Sequence, residues 1–579
     1  MNNIYILSDK KVDKAKNIPI FEINFISKTI DFSQYDALIF TSKNAIKAID
    51  TIDKKWKEKP SYAIAPQTAK TIKEFGGNLQ FTGKTNHGDS FAKELLGKFK
   101  HQKLLYLRAS KVVSNLTKIL KCDEVVIYET VCKKIDKNIT LPKHSTIIFS
   151  SPSTIDCFLQ QIKWDKTFKA ISIGKTTASF FPDYITPIIA ETTSIESCVD
   201  KAIDIQNIYK QIKTPAYICE EHLLEQNLKI LDYIQKKSGA KIILALKGFA
   251  MRATFPLISK YLYGATASGL HEAMLAKEEI QKEVHTYSPA FKDDEIDTIA
   301  QISDHIVFNT PSQLKKFKDR VKKINPNIEI SIRINPEVSS SPVDIYNPCG
   351  LYSRLGTTSK NFDESIIPYL DGLNFHALCE QDADALEDIL LSFEQKFSKY
   401  FKYIKYINFG GGHHITKDGY NIDKLILLIQ KFKIKYNLDI YLEPGEAVGW
   451  ETGVLVSSVL DIFNNGTDIA ILDTSAEAHM PDTLAMPYRA DIRGSSDDKK
   501  YRYRLGGNTC LAGDIMGDYS FDKKLKIGDK IIFEDQIHYT FVKNTTFNGI
   551  KLPSLALLKK DGSLEIVKEF NYQDYRDRL

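Results

Sequence analysis

Two apolar runs of strand length, Ala-Leu-Ile-Phe (37–40) and Thr-Ile-Ile-Phe (146–149), each end in hydroxyl residues and pass into an amphipathic helical pattern. A second pair, Ile-Ala-Pro-Gln-Thr-Ala (64–69) and Ile-Gly-Lys-Thr-Thr-Ala (173–178), matches at the same offset of 109 positions. A strand that runs into a helix is the unit of a parallel sheet. The first 205 residues therefore predict two similar α/β domains with a cleft between them. Ser42, Thr68, Ser151 and Thr177 fall where helices should start and are candidate N-caps. The backbone N–H groups there also suit carboxylates or phosphates.

From Thr214 onward, strands and helices alternate to about residue 445, with apolar runs at 242–246, 305–308, 328–333, 373–376, 407–409 and 440–442. Eight such units close a (β/α)8 barrel whose functional residues lie at the C-terminal strand ends. The expected barrel covers 207–445. Beyond it, short β segments with turns between them, such as 530–534 and 555–558, predict a β-barrel or sandwich over 446–579. Residues 198–213 hold neither Pro nor Gly and read as a short helical connector. The fold class is α/β throughout.

Composition changes this picture little. At 579 residues the chain needs roughly three or four cores. No apolar run approaches the ~18 residues of a membrane span, and no basic and apolar leader opens the sequence, so a cytoplasmic protein is expected. The eight cysteines never fall in a CxxC spacing, which argues against a zinc site or a disulfide framework. The net charge of +5 divides unevenly, about +9 over 1–205 and −4 over the rest. A solvated lysine-rich surface accounts for the first, so neither nucleic acid nor membrane is expected as a partner.

The chemistry sits at the strand ends. Lys247 follows Ile-Ile-Leu-Ala-Leu (242–246), and four motifs come after it: Asn-Phe-His-Ala-Leu-Cys-Glu (374–380), Asn-Phe-Gly-Gly-Gly-His-His (408–414), Tyr-Leu-Glu-Pro-Gly-Glu (441–446) and Gly-Gly-Asn-Thr-Cys-Leu-Ala-Gly-Asp (506–514). One ligand uses an amine, a stacking ring, a phosphate cradle, a carboxylate and an acid together: pyridoxal phosphate (PLP). Lys247 is the residue to bond it, and His376 the ring to stack on it. Gly410, Gly411 and Gly412 would bring backbone N–H groups to its phosphate. Glu443 would keep the pyridine nitrogen protonated, and Cys510 would return a proton to the substrate carbon.

Residues 1–203 resemble the uroporphyrinogen-III synthases, through Phe-Thr-Ser-Lys-Asn-Ala (40–45), Leu-Tyr-Leu-Arg (105–108), Val-Val-Ile-Tyr-Glu-Thr (125–130), Phe-Ser-Ser-Pro-Ser (149–153) and Ile-Gly-Lys-Thr-Thr-Ala (173–178). The resemblance implies cyclisation of hydroxymethylbilane, with Tyr128 near the cleft and Ser151 and Thr177 touching the ligand. It also implies a discontinuous first domain, 1–34 with 140–205, around a second at 36–128.

Residues 207–579 resemble the alanine-racemase-like PLP decarboxylases, most closely those acting on carboxynorspermidine and carboxyspermidine. Tyr-Ser-Pro-Ala (287–290), Tyr-Asn-Pro-Cys (346–349), Ser-Arg-Leu-Gly (353–356), His-Met-Pro-Asp (479–482) and Gly-Asp-Tyr-Ser-Phe (517–521) accompany the core motifs. The resemblance implies that Arg333 supports the cofactor and Tyr539 reaches its phosphate. Cys510 and Asp514 would enter a partner subunit's site, which implies a homodimer. Relatives for ornithine and diaminopimelate look like Glu-Pro-Gly-Arg where this chain has Glu446. A carboxylate there repels a second substrate carboxylate and suits a polyamine arm. The alternative expectation is a diaminopimelate-type decarboxylase behind a non-catalytic binding or scaffold module.

Overall fold

Ala37–Phe40 and Thr146–Phe149 are fully buried strands, and each leads within three residues into a helix, Lys43–Ile52 or Pro152–Leu159. The next helices begin at Pro66 and Lys175, so the 109-residue offset persists through two strand–helix pairs. Each copy lies inside its own sheet. In this computed structural model, which describes residues 3–8, 11–85, 87–112, 114–136, 139–341, 344–485 and 488–579, the chain forms two units, Met1–Ile203 and Asp204–Leu579.

The first unit holds a six-stranded and a five-stranded sheet. Ala37–Phe40 pairs in parallel with Ser61–Ala63 and Leu104–Ala109. Thr146–Phe149 pairs in parallel with Ile4–Ile6 and Lys169–Ser172. Phe21–Phe25, expected to belong with 1–34 and 140–205, instead joins the six-stranded sheet antiparallel to Asp123–Cys132, from Phe21 opposite Cys132 to Phe25 opposite Tyr128. That ten-residue strand would otherwise leave a long open edge, which Phe21–Phe25 covers.

Two of the four expected caps are caps. Ser42 Oγ accepts the N–H of Asn44 at 3.1 Å. Ser151 starts Pro152–Leu159, and its N–H donates to Thr154 Oγ1 at 3.3 Å. Thr68 and Thr177 are corrected: their helices begin at Pro66 and Lys175, with Ala65 and Gly174 at the cap positions. Both threonines lie buried inside the first turn, and a proline at the first helical position explains the earlier start at Pro66. The cysteine reading is corrected too, because Cys132 and Cys157 form a disulfide. A strand end and a helix bring together two residues whose spacing of 25 carries no local signal.

The second unit is built on a closed barrel of eight parallel strands: Lys241–Ala245, Gly264–Ala267, Glu283–Tyr287, His305–Phe308, Glu329–Arg333, Gly372–Asn374, Tyr406–Asn408 and Asp439–Leu442. Helices cover it with apolar faces; in Glu221–Ser238, Leu224, Leu228 and Leu231 recur at helical spacing and are all buried. At the N-terminal end of the strands, His285 stacks on His305 at 3.8 Å against the rings of Tyr441 and Tyr406, which fills that end with side chains. The opposite end is left for chemistry.

Ala216–Glu220, expected to open the barrel, belongs to the other sheet of this unit. It lies between Gly453–Asn464, antiparallel, and Ser554–Leu558, parallel, in an eight-stranded sheet. All five of its residues are buried, as a central strand requires, and an apolar run alone does not say which sheet it enters. The helix Ile195–Gln211 runs through the boundary between the two units. No helix among the described residues is long and apolar enough to cross a membrane.

Candidate active site

The C-terminal strand ends converge on a cavity lined by Ala245, Lys247, Thr266, Tyr287, Arg333, Asn374, His376 and Glu443. These residues come from the first, second, third, fifth, sixth and eighth strands or the positions just after them. Lys247 is exposed to the cavity yet enclosed by protein on its flanks. Burial, and then the Arg333 guanidinium, lower its pKa from the usual lysine value, while Glu443 acts the other way. The result is an amine with more of its neutral, nucleophilic form than a surface lysine.

Glu443 is buried and fixed. Asn408 Nδ2 donates to its Oε1 at 2.7 Å, and its own N–H donates to the carbonyl of Gly410 at 2.8 Å. Asn408 Oδ1 in turn accepts the N–H of Gly410 at 2.8 Å. The Gly410 amide is thereby committed to the protein, and the N–H of Gly411 is committed to His376 Nδ1 at 3.0 Å. This narrows the expectation of a three-amide phosphate cradle to Gly412. Glycine is nevertheless required: a Cβ on Gly411 would lie 2.4 Å from the carbonyl oxygen of Glu443, and Gly410 and Gly412 have φ of +72° and +84°.

The bond from Gly411 orients the His376 ring with Nδ1 as acceptor. Burial first, and then Lys247 and Arg333, hold the pKa of this imidazole well below its ordinary value, so the ring stays neutral. Arg333 donates from Nη2 to the carbonyl of His376 at 3.0 Å and lies 4.9 Å from the centroid of Tyr287. Tyr287 donates to Asn309 at 2.9 Å.

A second group of side chains follows the sixth, seventh and eighth strands. Glu446 lies 3.5 Å from His414 and 3.9 Å from His538, and ligand atoms of Glu380, His414 and Glu446 all fall within 4.8 Å of one another. Tyr539 opens a short helix; burial, then Glu446 and Cys379, raise the pKa of its phenol. Cys510 is not in the cavity of this chain. It is exposed on the turn between Tyr501–Gly506 and Ile515–Phe521, where its N–H donates to Asn548 at 2.7 Å. Asp514 differs from the expected substrate contact: it is buried, with Oδ1 accepting the N–H of Ala476 at 2.7 Å and Oδ2 accepting the hydroxyl of Thr509 at 2.6 Å.

Asn374, Asn408, Tyr287, Glu380 and His414 stand inside the same motifs but are not distinguished by sequence alone. An asparagine or a glutamate beside a histidine carries no signal of its own until the fold points it somewhere. In the first unit, Tyr128 is buried in the core of the six-stranded sheet and hydrogen-bonded to Ser42. Burial raises the pKa of its phenol. Ser151 is half-buried and Thr177 buried.

A neutral-prone lysine, a fixed carboxylate, an oriented imidazole and an adjacent glycine amide fit pyridoxal phosphate. Residues 112–536 match the family model described as pyridoxal-dependent decarboxylase, C-terminal sheet domain, and residues 14–200 match uroporphyrinogen-III synthase HemD. The two matches overlap over 112–200, where the structure holds strands and helices of the first unit. The chain is 54% identical over 380 residues to carboxynorspermidine/carboxyspermidine decarboxylase of Campylobacter jejuni, covering 63% of this chain and 98% of that protein. It is 42% identical over 372 residues to carboxyaminopropylagmatine decarboxylase of Synechocystis sp., covering 64% and 96%. The crystal structure of carboxynorspermidine decarboxylase from C. jejuni, complexed with norspermidine, is similar at 52% identity and a TM-score of 0.60, over 64% of this chain and 100% of that one. Diaminopimelate decarboxylase from Helicobacter pylori shares the fold at 17% identity and a TM-score of 0.55, over 65% and 100%. With this barrel, this cavity and these matches, the chain belongs to the pyridoxal-dependent decarboxylases.

Proposed function

We propose that the second unit decarboxylates carboxynorspermidine and carboxyspermidine to norspermidine and spermidine, and that the first unit cyclises hydroxymethylbilane to uroporphyrinogen III. The observation that carries the first reading is Glu446, three residues beyond the cavity-lining Glu443 and 3.5 Å from His414 and 3.9 Å from His538. A carboxylate there attracts the cationic arm of a polyamine and repels a second substrate carboxylate. The C. jejuni relative complexed with norspermidine supports the same substrate class.

When bound, PLP supplies an electron sink for the pair released as carbon dioxide leaves. Lys247 Nζ is the group to hold it and to yield to the substrate amine. Glu443, oriented by Asn408, would keep a proton on the pyridine nitrogen. The neutral His376 ring offers a stacking face, Arg333 braces the strand that carries it, and Gly412 and Tyr539 serve the phosphate. Cys510 Sγ delivers a proton to the carbon that lost carbon dioxide. It is exposed in its own chain, so this role calls for a homodimer in which each subunit completes the other's cavity. Asp514 fixes the Cys510 turn.

In the first unit the roles fall to Tyr128 as the catalytic residue near the cleft and to Ser151 and Thr177 as contacts of the tetrapyrrole carboxylates. The full chain loaded with PLP should release carbon dioxide from carboxynorspermidine and carboxyspermidine and leave diaminopimelate largely untouched; preference for diaminopimelate would refute the reading of Glu446. Incubated with hydroxymethylbilane, it should yield the type III isomer, whereas type I alone would make the first unit a binding module.

A further inference from the structure

We propose that Glu380 and Glu446 together form a clamp for one ammonium group of the substrate's far end, which makes Glu380 a specificity-determining residue. This rests on the carboxy-polyamine reading above and extends it to residues that sequence motifs did not assign.

Glu380 and Glu446 reach the same place from opposite sides. Glu380 follows the sixth strand, Glu446 the eighth, and His414 comes from the segment after the seventh, which lies between them in the barrel. The atoms these three residues offer all fall within 4.8 Å. The frame around them is rigid. Gln381 bridges to His413, its N–H donating to the carbonyl of Gly412 at 3.0 Å and its carbonyl accepting the N–H of His414 at 3.1 Å. Thr416 Oγ1 ties the same segment to the carbonyl of Ala447 at 2.6 Å. Trp450 forms a wall, with its ring 4.7 Å from that of His414 and 6.3 Å from that of His538.

One buried ring at this place lacks hydrogen-bond partners. His414 is only 6% exposed, yet neither of its ring nitrogens makes a hydrogen bond among the described residues, whereas His538 Nε2 lies 3.3 Å from the Asp535 carboxylate. Buried imidazoles of this kind are normally satisfied. Glu380 takes part in no described ion pair. Glu380 is partly open to solvent; burial of its remainder first, and then Glu446, raise its pKa. An ammonium carries three donors and one charge, which answers two facing carboxylates.

The charged surroundings leave room for that cation. His538 is opposed by burial but held up at about 9 by Asp535 and then Glu446. Lys417 lies over the Trp450 ring at 5.8 Å, and Lys543 is paired with Asp482. Cys379 adjoins Glu380 in the chain. Its thiol is pushed up to about 11 by burial and then by Glu380 and Glu446, while Lys247 acts the other way.

Norspermidine binding to the PLP-loaded full chain, measured by calorimetry, tests the clamp. Glu380→Gln should weaken binding roughly ten- to a hundredfold, the range of a charge-assisted bond, while Glu380→Asp retains most of it. Glu380→Gln combined with Glu446→Gln should cost less than the product of the two single losses, because both contact one ammonium. The KM for carboxynorspermidine should rise as pH falls and the pair gains a proton, and this rise should flatten in Glu380→Gln. A folded Glu380→Gln protein, by circular dichroism, that binds norspermidine within twofold of the parent refutes the clamp. So does tight zinc binding at Glu380 that norspermidine fails to displace, which would make the group a metal site. If the parent protein does not turn over carboxynorspermidine, the proposed function fails first, whatever Glu380 does.

Discussion

Asn408 is where the cavity's electrostatics depend on one neutral side chain. It is 1% exposed and makes two hydrogen bonds, Nδ2 to Glu443 Oε1 at 2.7 Å and Oδ1 from the N–H of Gly410 at 2.8 Å. Asn408→Ala removes both. The lost bond to a carboxylate is worth about 1.5–3 kcal/mol, and the buried Gly410 N–H left without an acceptor costs about 1–3 kcal/mol. Together they predict a loss of about 2.5–6 kcal/mol in the free energy of unfolding, read as a shift of the urea midpoint. The share belonging to Glu443 should also weaken PLP about ten- to a hundredfold, read by absorbance titration of the apoprotein. Asn408→Asp separates the two effects: it keeps an acceptor for Gly410 but sets a second carboxylate against Glu443, so it should recover stability more than PLP affinity. An Asn408→Ala protein with both the parent midpoint and the parent PLP affinity would refute the assignment of Asn408 as the residue that positions Glu443.

Gly411→Ala should destabilise the protein by about 1–3 kcal/mol and weaken PLP, because its Cβ would lie 2.4 Å from the carbonyl oxygen of Glu443 and 3.0 Å from Cε1 of His376; an unchanged urea midpoint would contradict that contact. The lowered pKa of Lys247 predicts that a larger fraction of this amine is deprotonated than of a surface lysine at the same pH. Acylation of the apoprotein at pH 8, followed by peptide mapping, should therefore label Lys247 faster than exposed lysines such as Lys260, and equal rates would count against it.

Much of this was legible where period and chemistry agree. The 109-residue repeat survives as strands and helices in register, because an apolar run followed by a hydroxyl and an amphipathic stretch has few other ways to fold. Lys247, His376 and Glu443 were readable because each ends an apolar strand, and a barrel gathers its strand ends at one face. Long-range pairing was not. Phe21–Phe25 and Ala216–Glu220 look like strands in sequence, but their partners lie over a hundred residues away for the first and more than two hundred for the second. The Cys132–Cys157 disulfide and the Glu380–Glu446 approach escaped for the same reason. The glycine run shows a subtler gap: its composition pointed to amides near a phosphate, while the structure commits two of those amides to Asn408 and His376.

The central claim is that the barrel-end cavity is the active site and that Lys247 is the residue that holds its cofactor. Borohydride reduction of the PLP-loaded full chain, followed by peptide mass mapping, tests it most directly. A pyridoxyl group on Lys247 Nζ, formed in the parent protein and lost in Lys247→Ala, is the predicted result. Attachment to a different lysine, or the same labelling in Lys247→Ala, would contradict the account.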